Sequence, residues 1–499
     1  MSSAVAQPNS LKDATVAGAA WLGIAMFTDR VARMASSAVL VALLTPQDFG
    51  IASVLWAIIA FGKIFANGGT GAAIIQRKEL ETGIIDSVFV FNMVVGVISS
   101  GLLYLASKPL AFWFSTPELE YFLRIVSVVL VFSACAVVPS SLLQRQMRFN
   151  VLAAIDIAQT LLSSVAMVVL ALLDFGVWSL ILPRLILSML VMIAYMRISN
   201  YIGSVRAKLG DIRKIFSYSG YLTLYTFVNY LNRNADVLII GKFIGMSAAG
   251  IYGLAAGFMM LPVQSCGEVI KRVAFPAFSR LQDDKKRFND AYLDTVSMVA
   301  FVTMPVVAGI LAVIGVAIDA FFGSEWEATA DIFLLLAPAA MIEAVGSTSA
   351  MIFQSKGKTG VMFAWQAIGT LVTTIALLTG THFGPRGVAI AFSIATALVS
   401  IPGLLIAFRI ASISIASFLT RVTPSILCSM LMGLVAHYSS YLLPSIDLKL
   451  IFAIQVLVGI ASYVALSYTL NREVLEECIS LTEPMRRKAF LPRTEAPVS

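Results

Sequence analysis

Long apolar runs succeed one another along nearly the whole chain, with only short connections between them. A helix needs about 20 mostly apolar residues to cross a bilayer. Backbone groups inside lipid must be hydrogen-bonded within the segment, so such runs form transmembrane helices. Apolar residues make up 59% of the 499 and charged residues 13%, and the mean hydropathy is +0.89. The sequence therefore predicts an all-α polytopic membrane protein with no room for a sizeable soluble domain.

A window of about 19 residues divides the chain into roughly 14 predicted spans. They cover residues 17–44, 49–66, 84–106, 122–143, 151–173, 177–197, 215–241, 248–266, 291–318, 330–352, 360–380, 387–408, 419–442 and 449–470. The polar start, Met1 to Lys12, lacks the basic-then-apolar order of a cleaved signal peptide. We therefore expect the first span to be retained.

Basic residues are concentrated in alternate loops and in the last tail. One set of loops contains Arg77, Lys78, Arg145, Arg148, Arg206, Lys208, Arg213, Lys214, Lys271, Arg272, Arg280, Lys285, Lys286, Arg287, Lys356 and Lys358. The opposite loops contain little beyond Lys108, Lys242, Arg386 and Lys449. Because Lys and Arg in short loops are retained in the cytoplasm, both termini are predicted to be cytoplasmic. Basic loops beside anionic headgroups also explain the net charge of +7, which gives no reason to predict nucleic-acid binding.

The chain contains an internal repeat with an offset of about 200 residues. Arg33 aligns with Arg233, and Gly50-Ile51 aligns with Gly250-Ile251. Further matches follow in the same order, with an offset that differs from 200 by a few residues. The repeat predicts an N-terminal lobe of six spans over 1–200 and a C-terminal lobe of six spans over 201–410. Two additional helices over 411–470 and a cytoplasmic tail over 471–499 complete the predicted domain organisation.

An even number of spans per copy keeps the two lobes in the same orientation. We therefore expect them to be pseudo-symmetric about an axis along the membrane normal, with a central cavity and the substrate between them.

Charged residues cluster inside two predicted spans that correspond in the repeat. The first span carries Asp29, Arg30 and Arg33, and the seventh carries Arg233 and Asp236. Helical spacing allows Asp29 to pair with Arg33 and Asp236 to reach Arg233. The same polar face of the seventh span includes Tyr221, Tyr225, Asn229 and Asn232, and further positive charge comes from Lys63 and Arg184.

Charges at mid-bilayer cost several kcal/mol, from about 2.5 upward, so each one suggests a function or a partner. One interpretation is that they form internal salt bridges that hold helices together. The other is that Arg30, Arg33, Lys63, Arg184 and Arg233, which outnumber the nearby carboxylates, bind an anionic ligand. Arg is suited to phosphate because its planar fork of donors matches phosphate oxygens. The excess favours an anionic, phosphate-bearing substrate.

Other polar residues have two interpretations each. Asp86, Asp156 and Glu343 are predicted either to carry protons or ions for coupling or to make hydrogen bonds between helices. The ring spacing of Tyr218, Tyr221 and Tyr225 suits packing or interface anchoring as well as stacking on sugars. Four scattered cysteines and two distant histidines do not predict a metal site, and no cofactor or ATP-binding motif is expected.

Four loop segments resemble the Wzx-type polysaccharide exporters. They are TPQDFG at 45–50, IIQRKE at 74–79, FPAFSRLQDD at 275–284 and FGSEW at 322–326. The chain is most similar to the colanic-acid and succinoglycan exporters of the multidrug/oligosaccharidyl-lipid/polysaccharide superfamily. The resemblance covers nearly all of the sequence up to about residue 410, and the last two spans are generic.

This resemblance implies a transporter of the bacterial inner membrane rather than an enzyme. Its implied substrate is an undecaprenyl-diphosphate-linked oligosaccharide, moved by alternating access for exopolysaccharide, capsule or O-antigen synthesis. Cationic residues of the first and seventh spans are implied to hold the diphosphate, which assigns that role to Arg30, Arg33 and Arg233, with Lys63 and Arg184 beside them. Membrane lipids, a coupling ion (H⁺ or Na⁺) and polymerase or export machinery are the other expected partners.

Two alternatives belong to different functional classes. A multidrug or cation antiporter of the same superfamily would share the fold but would require an acidic cavity. A polysaccharide polymerase or ligase would be an enzyme, and such enzymes usually have a large periplasmic loop. Here the longest predicted outer loop, around Pro109 to Tyr121, is short.

Overall fold

The computed structural model describes residues 8–67, 70–76, 82–201, 203, 226–228, 230–231, 233–281, 284–442, 447–476 and 478. Its first helices are α1 (Pro8–Val41), α2 (Pro46–Asn67), α3 (Thr70–Gln76), α4 (Thr82–Trp113), α5 (Glu118–Val126), α6 (Val129–Arg145), α7 (Phe149–Leu172) and α8 (Trp178–Ile198). Residues 233–243 are also helical. The later helices are α9 (Met246–Arg280), α10 (Lys285–Ala317), α11 (Glu327–Gly346), α12 (Ser349–Ser355), α13 (Thr359–Gly380), α14 (Gly384–Ala411), α15 (Ile415–Ser439) and α16 (Leu448–Leu470). The described residues contain no strand.

Most of these helices are long and apolar enough to cross a membrane. Among the described residues, 11 helical segments meet that standard, and the longest, Thr359–Ala411, contains both α13 and α14. Helix α1 has the required length but carries Asp29, Arg30 and Arg33 and is not among the 11. Part of the predicted seventh span lies outside the described residues. The chain is thus a multi-pass helical membrane protein, and the count of 14 spans stays a prediction.

Two compact units can be distinguished by their internal packing. The first contains the described residues up to Leu254 together with Leu377–Val388, and the second contains Ala255–Ala376 and the described residues from Ala389 onward. In the first unit, α1 packs along α7, α4 packs on α6, and α8 packs on both α6 and α7. Helix α2 contacts α4 and α6. Nothing in this packing tests the predicted lobe boundaries at residues 200 and 410, which stay a prediction.

Within the first unit, α2 and the start of α9 cross at two glycines that the repeat aligns. A Cβ built on Gly50 would overlap the carbonyl oxygen of Met246 and lie 3.1 Å from the backbone nitrogen of Gly250. A Cβ on Gly250 would overlap the carbonyl oxygen of Pro46 and lie 2.9 Å from the nitrogen of Gly50. The contact is reciprocal, with corresponding partners 200 residues apart. Each glycine therefore lies against the backbone of the other helix, at positions that the predicted repeat aligns.

In the second unit, α10 is the central helix. It packs against α11, α15 and α16, so the two helices that the sequence presents as additional contact the middle of this unit. The hydroxyl of Tyr463 donates to the carbonyl of Phe301 at 2.7 Å, and Ser297 donates to the carbonyl of Arg421 at 3.1 Å. These bonds join α16 and α15 to α10.

Candidate functional site

The charges of α1 form the predicted ion pair and are held by a neighbouring helix. The Nε of Arg33 lies 2.8 Å from Oδ1 of Asp29, one turn earlier. The same carboxylate oxygen accepts a hydrogen bond of 2.9 Å from the hydroxyl of Thr160 on α7. Because α1 packs along α7, Thr160 fixes the carboxylate and, through it, the guanidinium of Arg33. The Asp29–Arg33 pair is therefore confirmed.

Arg184 on α8 lies close to this pair. Its guanidinium lies 5.3 Å from the ring centroid of Trp56 on α2, which is a cation–π contact. It also interacts electrostatically with Arg33 and Asp29, and with Lys63 of α2. The fold thus brings together predicted site residues that are far apart in sequence. We call Arg33, Lys63 and Arg184 the basic cluster.

Positive charge exceeds negative charge in this region. Asp29 pairs with Arg33, and the carboxylate of Asp156 interacts electrostatically with Asp29. Within the described ranges, neither Lys63 nor Arg184 has a carboxylate oxygen within 4.0 Å, and the same holds for the half-buried Arg30 next to Asp29. The protein itself therefore offsets only part of the charge of the basic cluster.

The residues of the predicted seventh span are only partly described. Arg233 is exposed and has no carboxylate partner within 4.0 Å among the described residues. The predicted Asp236–Arg233 pair is wrong, because the Asp236 carboxylate turns back and accepts a 2.8 Å hydrogen bond from the backbone nitrogen of Val237. Four other predicted site residues lie outside the described residues: Tyr221, Tyr225, Asn229 and Asn232.

Three side chains of this region were not singled out from the sequence. Thr160 and Trp56 contact the charged residues directly, and the buried hydroxyl of Tyr230 donates to the carbonyl of Ala57 at 2.9 Å. The Tyr230 bond ties the predicted seventh span to α2. A threonine, a tryptophan and a tyrosine within apolar runs carry no sequence signal that distinguishes them from packing residues.

The carboxylates that had two interpretations are hydrogen-bonded to neighbouring segments. Asp86 accepts from the hydroxyl of Tyr201 at 2.8 Å, and Asp156 accepts from Tyr195 at 3.3 Å. In the second unit, Glu343 accepts from the hydroxyl of Ser400 at 2.8 Å. For Asp156 and Glu343 the interpretation that they bond between helices is confirmed, whereas Tyr201, the partner of Asp86, lies after the end of α8. The described residues contain no group of three or more His, Cys, Asp or Glu side chains that could hold a metal ion.

This arrangement can bind an anion through several cations at once. Guanidinium groups offer planar pairs of donors, and the Lys63 ammonium offers a compact point charge. The ring of Trp56 holds Arg184 without neutralising it, since a cation–π contact leaves the charge intact. Charge-assisted hydrogen bonds to phosphate oxygens are among the strongest that such groups form.

Comparison with known proteins gives relatives that match most of the chain. The teichuronic acid biosynthesis protein TuaB of Bacillus subtilis (strain 168) is 24% identical over 430 residues, which are 86% of this chain and 89% of the relative. The succinoglycan biosynthesis transport protein ExoT of Rhizobium meliloti (strain 1021) is 26% identical over 460 residues, which are 90% of this chain and 92% of the relative.

Solved structures show the same fold. The lipid II flippase MurJ, in an inward closed conformation, matches with a TM-score of 0.73 at 20% identity, over 91% of this chain and 99% of MurJ. An inward-facing multidrug resistance MATE transporter of the MOP superfamily matches with a TM-score of 0.62 at 16% identity, over 78% of this chain and 98% of the transporter. The predicted all-α polytopic fold is confirmed.

The family is shown by a match over more than half of the sequence. The model of the Polysacc_synt_3 family, described as polysaccharide biosynthesis protein, matches residues 39–331. This range contains Lys63, Arg184 and Arg233 and covers residues 39–254 of the first unit. The resemblance to polysaccharide exporters seen in the loop segments is thereby confirmed, and the chain belongs to the Polysacc_synt_3 family of polysaccharide biosynthesis proteins.

Proposed function

We propose that this protein is a flippase that moves an undecaprenyl-diphosphate-linked oligosaccharide across the bacterial inner membrane by alternating access. The observation that carries the proposal is the basic cluster, whose positive charge is only partly offset by Asp29. A diphosphate supplies the missing negative charge. The names of TuaB and ExoT, which refer to polysaccharide biosynthesis and transport, and the lipid II flippase fold support the same function.

Each site residue has a proposed role. Arg33, oriented by Asp29 and Thr160, and Arg184, held over Trp56, donate to the diphosphate oxygens. Lys63 adds a point charge, and Arg30 and Arg233 provide further cationic contacts as the substrate moves. The proposed topology has both termini in the cytoplasm, with H⁺ or Na⁺ as coupling ion and polymerase or export machinery as the receiving partner.

The test replaces one arginine from each of the two corresponding spans. In the double variant Arg33→Ala/Arg233→Ala, we expect the protein to fold and reach the membrane but transport to fall at least about a hundredfold, because two charge-assisted contacts of about 1.5–3 kcal/mol each are lost. The measurement is the movement of a fluorescent polyprenyl-diphosphate oligosaccharide across proteoliposome membranes.

The matched control is Arg287→Ala/Arg409→Ala, which also removes two arginines but leaves the basic cluster intact. It should transport like the unaltered protein. Unchanged transport by the folded Arg33→Ala/Arg233→Ala variant would exclude these residues from the mechanism. Preferential export of cationic dyes would instead indicate an antiporter, and glycosyl transfer by the purified protein would indicate an enzyme.

A further inference from the structure

A long apolar groove lies within the first unit, separate from the basic cluster. It has a volume of about 810 Å³ and lies between α2, α4, α6 and the helical residues 230–231 and 233–243. Its floor includes the buried Leu103, Phe114 and Leu130, and its rim includes the exposed Leu102 and Phe243. No residue of the basic cluster lines it. The groove is thus a second site that the proposed transport step does not use.

The lining of the groove suits a hydrocarbon chain. Only Ser99, Tyr230 and Lys242 among the lining residues carry polar side-chain atoms besides the indole of Trp113, and the hydroxyl of Tyr230 is already bonded to the carbonyl of Ala57. Along α4 the lining extends from Ser99 to Trp113, which at about 1.5 Å per residue is roughly 21 Å. That length exceeds half of a hydrocarbon core of about 30 Å, so the groove spans about one leaflet and its interface.

One end of the groove carries a positive charge. The Lys242 ammonium lies 4.9 Å from the ring centroid of Trp113 and donates a hydrogen bond to the Trp113 carbonyl. An ammonium has three donors, so further donors can serve a ligand. No carboxylate of the described residues lies within 4.0 Å of Lys242. Tryptophan rings favour the headgroup level of a bilayer, so this end of the groove lies where lipid phosphates are found.

We propose that this groove binds one anionic glycerophospholipid from the leaflet at the Lys242 end. The acyl chains lie along α4, and the phosphate contacts the Lys242 ammonium. The lipid headgroup thereby contacts a cation at the membrane interface, and its acyl chains contact the apolar wall below. This order matches the order of headgroup and chains in a leaflet. A polyprenyl carrier of eleven isoprene units fits this groove less well, because its chain is longer than a leaflet is thick.

Native mass spectrometry of the full chain in detergent, titrated with phosphatidylglycerol or phosphatidylcholine, tests the proposal. The unaltered protein should retain one phosphatidylglycerol in preference to phosphatidylcholine. Lys242→Gln should reduce that preference about fivefold, the effect of one cation beside an anionic lipid. Leu102→Trp, which fills the rim, should reduce retention of both lipids.

Two matched controls lie outside the groove. Lys449→Gln removes an exposed cation near the start of α16, and Leu457→Trp enlarges a leucine that is 65% exposed, close to the 62% of Leu102. Both should retain lipid like the unaltered protein. Equal retention of the two lipids by the unaltered protein, or an unchanged preference in Lys242→Gln, would overturn the proposal.

A second measurement needs no variant. A phosphatidylglycerol with a photoreactive diazirine on its acyl chain should label peptides from α2, α4 and residues 233–243 of the unaltered protein. Labelling confined to other helices would overturn the proposal. Complete displacement of the label by an equimolar polyprenyl diphosphate would also overturn it, since the occupant would then be the transport substrate.

Discussion

Glu343 and Arg184 are ionisable residues inside apolar helices, one in each unit, and their surroundings differ. The Glu343 carboxylate accepts a 2.8 Å hydrogen bond from Ser400 on a neighbouring helix. Arg184 contacts the face of Trp56 and lies near two other cations, with no carboxylate oxygen within 4.0 Å among the described residues. Polar groups that serve packing are satisfied by the protein. The Glu343 carboxylate is thus satisfied within the protein, whereas the surroundings of Arg184 support its proposed role in ligand binding.

The two units also differ at their close helix crossings. At Gly50 and Gly250 in the first unit, an added Cβ would overlap a backbone carbonyl on the partner helix. In the second unit, α10 and α15 pack near Gly309 and Gly433, where the nearest atoms would lie 3.9 Å and 3.4 Å from an added Cβ. The first crossing requires glycine on both helices, whereas the second has space for alanine.

The largest expected effect comes from the tight crossing. Gly50→Ala should lower the free energy of unfolding by about 3 kcal/mol, because backbone atoms of α2 and α9 must move apart to admit the methyl group. Gly433→Ala should be neutral or stabilising by up to about 1 kcal/mol, since alanine favours helix. Thermal unfolding of the purified variants in detergent measures both. Equal stability of the two variants would show that the crossings do not differ.

The double variant Gly50→Ala/Gly250→Ala sharpens this test. Both methyl groups act on the same contact, so once one has separated the helices the second should add little. The loss of stability should therefore be close to that of one single variant. A loss equal to the sum of the two would mean that the glycines act at independent sites.

The second prediction concerns the charge of Arg184. Arg184→Gln should weaken binding of a polyprenyl-diphosphate oligosaccharide about tenfold to a hundredfold, because a charge-assisted contact is lost. The free energy of unfolding should fall by less than the free energy of substrate binding does. No ion pair is broken, and an incompletely offset charge is removed from the membrane interior. Binding by fluorescence titration and thermal unfolding in the same detergent measure the two effects.

Arg421→Gln is the control for Arg184 in the second unit. Arg421 pairs with Asp294 at 3.6 Å and with Glu473 at 3.7 Å, and its side chain is about half exposed. Its loss should leave substrate binding unchanged and lower stability by less than about 1 kcal/mol, since exposed ion pairs contribute little. If Arg421→Gln weakened substrate binding more than Arg184→Gln does, the proposed binding role of Arg184 would be wrong.

Much of this organisation is predictable because helix length, hydropathy and spacing are local properties. The apolar runs mark most of the membrane helices, and the four-residue spacing of Asp29 and Arg33 gives their ion pair. Contacts between distant segments are not local. Thr160 reaches Asp29 across 131 residues of sequence, and Tyr230 reaches Ala57 across 173. Hydropathy does not specify which faces of two apolar helices meet. The partners of the charged residues could therefore be identified only from the structure.

The failed Asp236–Arg233 pair shows a related limit. Their spacing of three residues permits contact on a helix, yet the Asp236 carboxylate bonds the backbone nitrogen of Val237 instead. Helical spacing indicates which side chains are close enough to interact. It does not decide between a side-chain partner and a nearby backbone donor, which competes for short side chains such as aspartate.

The last prediction tests the structural role of Glu343. Ser400→Ala removes the hydroxyl that donates to the Glu343 carboxylate and should lower stability by about 1 kcal/mol, the scale of a hydrogen bond between membrane helices. Glu343→Gln should lower stability by less than Ser400→Ala, because its amide oxygen still accepts a hydrogen bond from Ser400. Gly346 lies against Ser400, with an added Cβ only 2.8 Å from the serine Cβ, so the helices stay in contact when the hydroxyl is lost. Both variants should transport substrate like the unaltered protein, and a transport defect without a loss of stability would place Glu343 with the functional charges instead.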